Sequence, residues 1–169
     1  MMDAFALDLT LRLAREWATA NDPAFGRYFD LSPVDRLWIV NATDADLAEV
    51  SAIPTSILFV NVGELSDSYT ENFRTPSPSV AAISQILGAV ADDLKTRGRV
   101  ARINWGINSE EKADWLTKSN MRDRMMLADQ GRVTFSARAP FSKIQVGIPD
   151  SHVRIANVMR ILSGGRRSE

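Results

Sequence analysis

Apolar residues recur through residues 3–20 at helical spacing, with Leu9, Leu13 and Trp17 in line and Leu7, Leu11, Ala14 and Ala18 widening the face. The stretch "FALDLTLRL" also alternates as a strand would. Its length and Ala/Leu/Arg content nevertheless predict a helix, with Asp3 placed to cap it. Turn residues in "NDPAFGRYFDLSP" follow. "RLWIVN" (36–41) reads as a first core strand, and in "TDADLAEV" Thr43 and Asp46 approximate the capping box of a short helix ended by Pro54. Residues 56–62 are almost continuously apolar, the pattern of a strand covered on both faces, and are expected to form the central strand of a parallel sheet.

The polar segment 63–77 reads as an exposed loop. Ser77 at an N-cap and Pro78 at the first helical position then open a long helix with the face Ile83, Ile86, Leu87, Val90 and Leu94, closed by Gly98. "RVARINW" (99–105) alternates as a third strand, with Ala101, Ile103 and Trp105 on one side. Ser109 caps a further helix, with Glu110 and Glu111 in its first turn and Trp115 and Leu116 as its buried residues. Strand and helix alternate, which predicts a small α/β fold with a parallel sheet flanked by helices, in a core domain spanning 1–129. Beyond Gln130 "RVTFSAR" and "KIQVGI" alternate like a hairpin across "APFS". "SHVRIANVMRIL" carries a Ser151 cap and an Ile155, Val158, Leu162 stripe ending at Gly164. Residues 130–169 have too little apolar material for a core of their own, so they read as a flexible tail with a nascent helix, partly disordered until something binds it.

Charge sharpens that division. The chain of 169 residues carries a net charge of −1, but residues 130–169 hold seven basic side chains against two acidic, and residues 1–129 thirteen against nineteen. A basic segment on an acidic body suggests either an arm for a polyanion or an arm that docks on its own core. Arginine outnumbers lysine 16 to 4, and guanidinium is the better phosphate fork. The expected RNA contacts are Arg154, Arg160, Arg166 and Arg167 in the tail, continued by Lys95, Arg97, Arg99 and Arg102 around the end of the long helix. Lys118, Arg122 and Arg124 could extend that track. No aromatic platform for reading bases is evident, so contact through phosphates is expected.

Catalytic signals are weak. With no cysteine, disulfides, thiolate catalysis and cysteine-based metal sites are excluded. The single histidine, His152, has no partner of its kind for a transition-metal site. Glu64 and Asp67 follow a predicted strand, where ligands of open sheets collect, and could bind magnesium or act as acid and base. No Gly-rich phosphate loop and no G-x-S-x-G elbow accompanies them. Asp92 and Asp93 read as solvated surface. No cofactor is expected. No apolar run is long enough for a membrane helix, and the acidic N-terminal segment reads as mature protein rather than a signal peptide. A small enzyme using Glu64 and Asp67, or an immunity- or adaptor-type binding domain, are the alternatives to an RNA-contacting protein.

The order of elements over 36–119, with Trp115 of "ADWL" in the last helix, resembles a BRCT domain, although the glycine pair of that fold is absent. The full length, a BRCT-like core ending near Asp129 and the basic "GRVTFSARAPFSKIQVGIPDSHVRIANVMRILSGGRRSE" also resemble the small assembly cofactor in the polymerase complex of cystoviruses, the double-stranded RNA bacteriophages. That resemblance implies a homodimeric, non-enzymatic α/β core in contact with capsid and polymerase proteins. It also implies capsid nucleation, packaging of genomic RNA, and a place in the virion interior and, during assembly, the host cytoplasm.

Overall fold

The computed structural model describes residues 2–65, 75–144, 156 and 159–161. The helices that begin at Pro23, Pro33, Asp44, Pro78, Glu110 and Met121 each start where a short polar side chain takes a free amide. The first helix already runs from Met2, so that Asp3 lies inside it rather than at its cap. Helix α1 (Met2–Ala20) lies along the core with Leu7, Leu11, Ala14 and Ala18 buried, as its periodicity predicts. Asp22 caps α2 (Pro23–Tyr28), and the chain then enters a two-residue strand, β1 (Phe29–Asp30). Residues 36–41 are not a strand. They belong to α3 (Pro33–Asn41), because Ser32 accepts the amide of Asp35 and Pro33 occupies the first helical position. Val34 and Leu37 are consequently exposed while Ile39 is buried.

The capping box of α4 (Asp44–Ser51) forms as expected: the Thr43 hydroxyl accepts the amide of Asp46, whose carboxylate accepts the Thr43 amide at 2.8 Å. That amide, then the hydroxyl, holds the Asp46 carboxyl below its ordinary value. The stabilisation is therefore present above the ordinary carboxylate pKa and is lost as pH falls through the lowered one. Thr43→Ala is expected to cost about 1 kcal/mol at neutral pH, with less difference from wild type in acid, measurable by denaturant titration at two pH values.

Strand β2 (Leu58–Val62) sits within the predicted 56–62 but lies at one side of the sheet. The long helix α5 (Pro78–Arg97) has its Ser77 cap, Pro78 start and Gly98 end in place. After it, 99–105 is helical rather than extended: α6 (Arg99–Asn104) begins directly at Gly98, whose φ is 51°. Ala101 and Trp105 are buried four residues apart while Ile103 is 44% exposed, a helical rather than an alternating division. Helices α7 (Glu110–Lys118) and α8 (Met121–Asp129) follow, capped by Ser109 and by an Asn120–Asp123 box.

Strand β3 (Val133–Ala137) is the middle of the sheet, parallel to β1 and antiparallel to β2. The fold is thus mixed α/β as expected, but the sheet is mixed rather than parallel. The core also runs past Asp129 to the short 3₁₀ turn Phe141–Lys143 and Ile144. Val133, Phe135 and Phe141 are fully buried. Phe29 stacks on Phe135 at 5.4 Å and on Phe25 at 5.5 Å, with Trp17 edge-on to Phe29 at 6.1 Å. The anticipated partner of β3, "KIQVGI", falls mostly outside the described residues, as do the Ser151 cap and the tail's stripe.

The open side of β2 is covered locally: the amide of Val60 donates to the Trp105 carbonyl at 2.8 Å. The turn after Trp105 depends on Gly106, at φ 67°, where an added Cβ would sit 2.0 Å from a ring carbon of Phe59. Left-handed strain and ring displacement together predict that Gly106→Ala loses roughly 2–4 kcal/mol, visible as a lowered Tm.

Candidate nucleic-acid interface

Gly98 lets α6 turn away from α5 without an intervening loop, and this joint gathers the basic residues singled out in the core. Lys95 and Arg99 are exposed there, Lys95 with its ammonium 3.5 Å from Asp92. Arg102 lies 3.8 Å from Glu110. Arg99 and Arg102 share with Glu110 and Asp114 a depression of about 270 Å³ between α6 and α7. The cations are therefore interleaved with carboxylates, which weakens the field a polyanion would meet.

Arg97 has a different task. Its Nε and Nη2 each donate to Asp93 at 2.6 Å, and Asp93 is 2% exposed. The same carboxylate accepts Nε1 of Trp105 at 2.8 Å. Asp93 is thus a buried acceptor fixing α6 to α5, not the solvated residue its neighbour Asp92 is. Trp105 is the fully buried tryptophan; Trp115, expected to be the packing residue, is only partly buried against the core. One turn separates Asp93 from Arg97, and an Asp at i with Arg at i+4 is the signal that the sequence offers for this pair.

The abundance of arginine has a structural explanation in much of the core. Guanidinium groups cap the carbonyls that helices leave unpaired at their C-terminal ends. Arg36 donates to Ala18 at the end of α1 at 3.1 Å, and Arg15 to Ala42 at the end of α3 at 2.9 Å. Arg124 donates to Ser119 after α7 at 2.8 Å, and Arg27 to Asp129 closing α8. Arg138 donates to Ile103 and Asn104 at the end of α6, and also to Ser56 at 2.8 Å, while its plane lies over Phe59 at 4.3 Å. A planar fork with several donors suits two carbonyls at once, which lysine does not. Composition alone could not separate this use from phosphate binding.

Of the tail positions, Arg160 is described and is exposed on a helical residue; Arg154, Arg166, Arg167 and His152 lie outside the described residues. Lys118 and Arg122 are exposed, whereas Arg124 is half-buried. Glu64 is exposed, its carbonyl accepting Nη1 of Arg132 at 2.9 Å, and Asp67 lies outside the described residues. Among the described residues no group of three or more His, Cys, Asp or Glu is placed to hold a metal ion, and no described helix is long and apolar enough to cross a membrane.

No protein-family model, curated protein or solved structure matches this chain. Function must be argued from its own residues.

Proposed function

We propose that the chain is a non-catalytic binding protein whose α/β core engages other proteins and whose basic C-terminal part contacts RNA. The observation that carries the reading is the division of charge, with an excess of five positive charges over 130–169 against an excess of six negative over 1–129. Exposed Arg160, with Lys95 and Arg99 at the α5–α6 joint, supports it. Arg97 is not an RNA contact in this reading, because its Nε and Nη2 both face Asp93. Arg102 contributes charge beside Glu110 rather than a free fork. The setting attached to this reading is assembly and RNA packaging in a double-stranded RNA phage polymerase complex, as a homodimer beside capsid and polymerase proteins. That setting rests on the resemblance in length and in the basic C-terminal part alone.

The test is RNA binding by the full chain across several salt concentrations. Each phosphate neutralised on a single strand lowers log affinity by about 0.7 for each unit of log salt. Replacing Arg154, Arg160, Arg166 and Arg167 together with Gln is expected to weaken binding and to flatten that slope by about 0.7 for each phosphate no longer neutralised. Scrambling the RNA sequence should change little. Equal affinity and slope in the variant would show that this charge serves another partner.

A further inference from the structure

A cavity of about 650 Å³ is lined by the first turn of α1, the middle of α5 and the start of α8, within the roughly 300–1,000 Å³ of small-molecule sites. Phe5 from α1 and Met121 from α8, 68% and 50% exposed, line it with Ala89 of α5. Its walls are therefore largely apolar and, through the thioether, adaptable. Gly88 lies in the same wall, and a Cβ there would stand 3.5 Å from Nη2 and 3.6 Å from Nε of Arg124. The guanidinium thus lies along α5 over a position without a side chain. Its bonds to Ser119 both leave from Nη1, at 2.8 Å to the carbonyl and 3.4 Å to the hydroxyl. Nε is closed off from solvent and meets no acceptor among the described residues. A buried donor in that state is costly until an acceptor reaches it.

We propose that this cavity binds a small free carboxylic acid with an apolar body, its carboxylate held by Arg124. Nε and Nη2 form the side-on edge of the guanidinium, which grips a carboxylate with two parallel bonds. One oxygen takes Nη2, and a slight turn of the side chain brings Nε to the other. Charge narrows the class. Arg124 and Asp92 are the ionisable groups of the wall, and Asp92 has the Lys95 ammonium 3.5 Å away. One available guanidinium matches a single negative charge, whereas a phosphate dianion would enter an apolar site with half its charge unmatched. Gln85, exposed in the same wall, can donate a further bond to the carboxylate. Ser84 is committed, its hydroxyl donating to the Met121 carbonyl at 3.3 Å. Phe5 and Met121 are left to cover the apolar body, which gives both exposed side chains a partner. No described residue beyond Gln130 lines the cavity, so the site is separate from the basic C-terminal part.

Titration of the full-length protein with decanoate below its micelle concentration, followed by amide NMR shifts, tests it. Decanol, equally long and uncharged, is the control. Decanoate should bind saturably, shifting the amides of 84–92 and 121–124, and at least about tenfold more tightly than decanol. Arg124→Lys keeps the charge but not the paired edge, and should lower decanoate affinity at least about fivefold while leaving decanol unchanged. Gly88→Leu fills the wall and should abolish binding of both. Leucine suits a helix better than glycine, so this variant should fold, which its melting curve checks. No saturable binding of decanoate, equal affinity for decanoate and decanol, or binding that survives Gly88→Leu would each overturn the assignment.

Discussion

A chain cut after Asp129 is expected not to fold, although the change of composition there suggests a natural boundary. The cut removes β3, the strand that both others pair with. It strips Val133, Phe135, Phe141 and Ile144 from the core, each buried to 4% exposure or less. At about 1.5–3 kcal/mol per side chain the loss is on the order of 6–12 kcal/mol, comparable to the whole stability of an ordinary domain. Asp35 would also lose the amide of Phe141, and the end of α6 would lose Arg138. The fragment 1–129 should show no cooperative thermal transition and a collapsed near-ultraviolet circular dichroism signal, whereas 1–144 should melt cooperatively. A sharp melt of 1–129 would contradict the central placement of β3.

Asp93→Ala is expected to cost roughly 3–5 kcal/mol. The carboxylate is buried and takes donors from Arg97 and from Trp105, so its removal leaves the indole N–H unpaired inside the protein. Arg97 is 29% exposed and can turn to water, which keeps the cost at the lower end of that range. Trp105→Phe deletes only the indole donor and part of the ring, and should cost about 1–2 kcal/mol. A double-mutant cycle between the two positions should show coupling, because they share one hydrogen bond. Near-wild-type stability of Asp93→Ala would mean that the α5–α6 joint is held by packing alone.

Three of the helices with polar caps, α4, α5 and α7, are legible in the sequence, whereas α2, α3 and α8 are not read as helices despite theirs. Thr43, Ser77 and Ser109 each precede a helix that forms where its spacing indicates. The elements that differ from expectation share a cause. Short apolar runs are ambiguous between period two and period 3.6, and "RLWIVN" and "RVARINW" both satisfy alternation. In the first, Ser32, Pro33 and Asp35 are a cap and start signal upstream of the run. In the second, Ala101 and Trp105 satisfy either period, and only the burial of one side decides. Strand β3 is extended as its alternation predicts, but its partners lie some 70 and 100 residues away in sequence, a distance that local pattern does not encode. The candidate interface is half legible: Lys95 and Arg99 stand in solvent, but nothing in the charge pattern separates them from Arg97, which serves a buried carboxylate.

The arginines at the helix ends have a consequence for how the surface behaves toward ions. An arginine paired with a carboxylate loses both its free donors and its net field. One bound to carbonyls gives up donors but cancels no charge, because its partner is a dipole. Arg27, Arg36 and Arg124 therefore keep their positive charge while hydrogen bonds of each are committed to backbone oxygens. In a body with six more acidic than basic side chains over 1–129, such groups offset part of the negative field yet offer an anion few contacts. Charge and free donors are thus separated on this molecule, the first kept at the helix ends and the second standing out in solvent on cations such as Arg99.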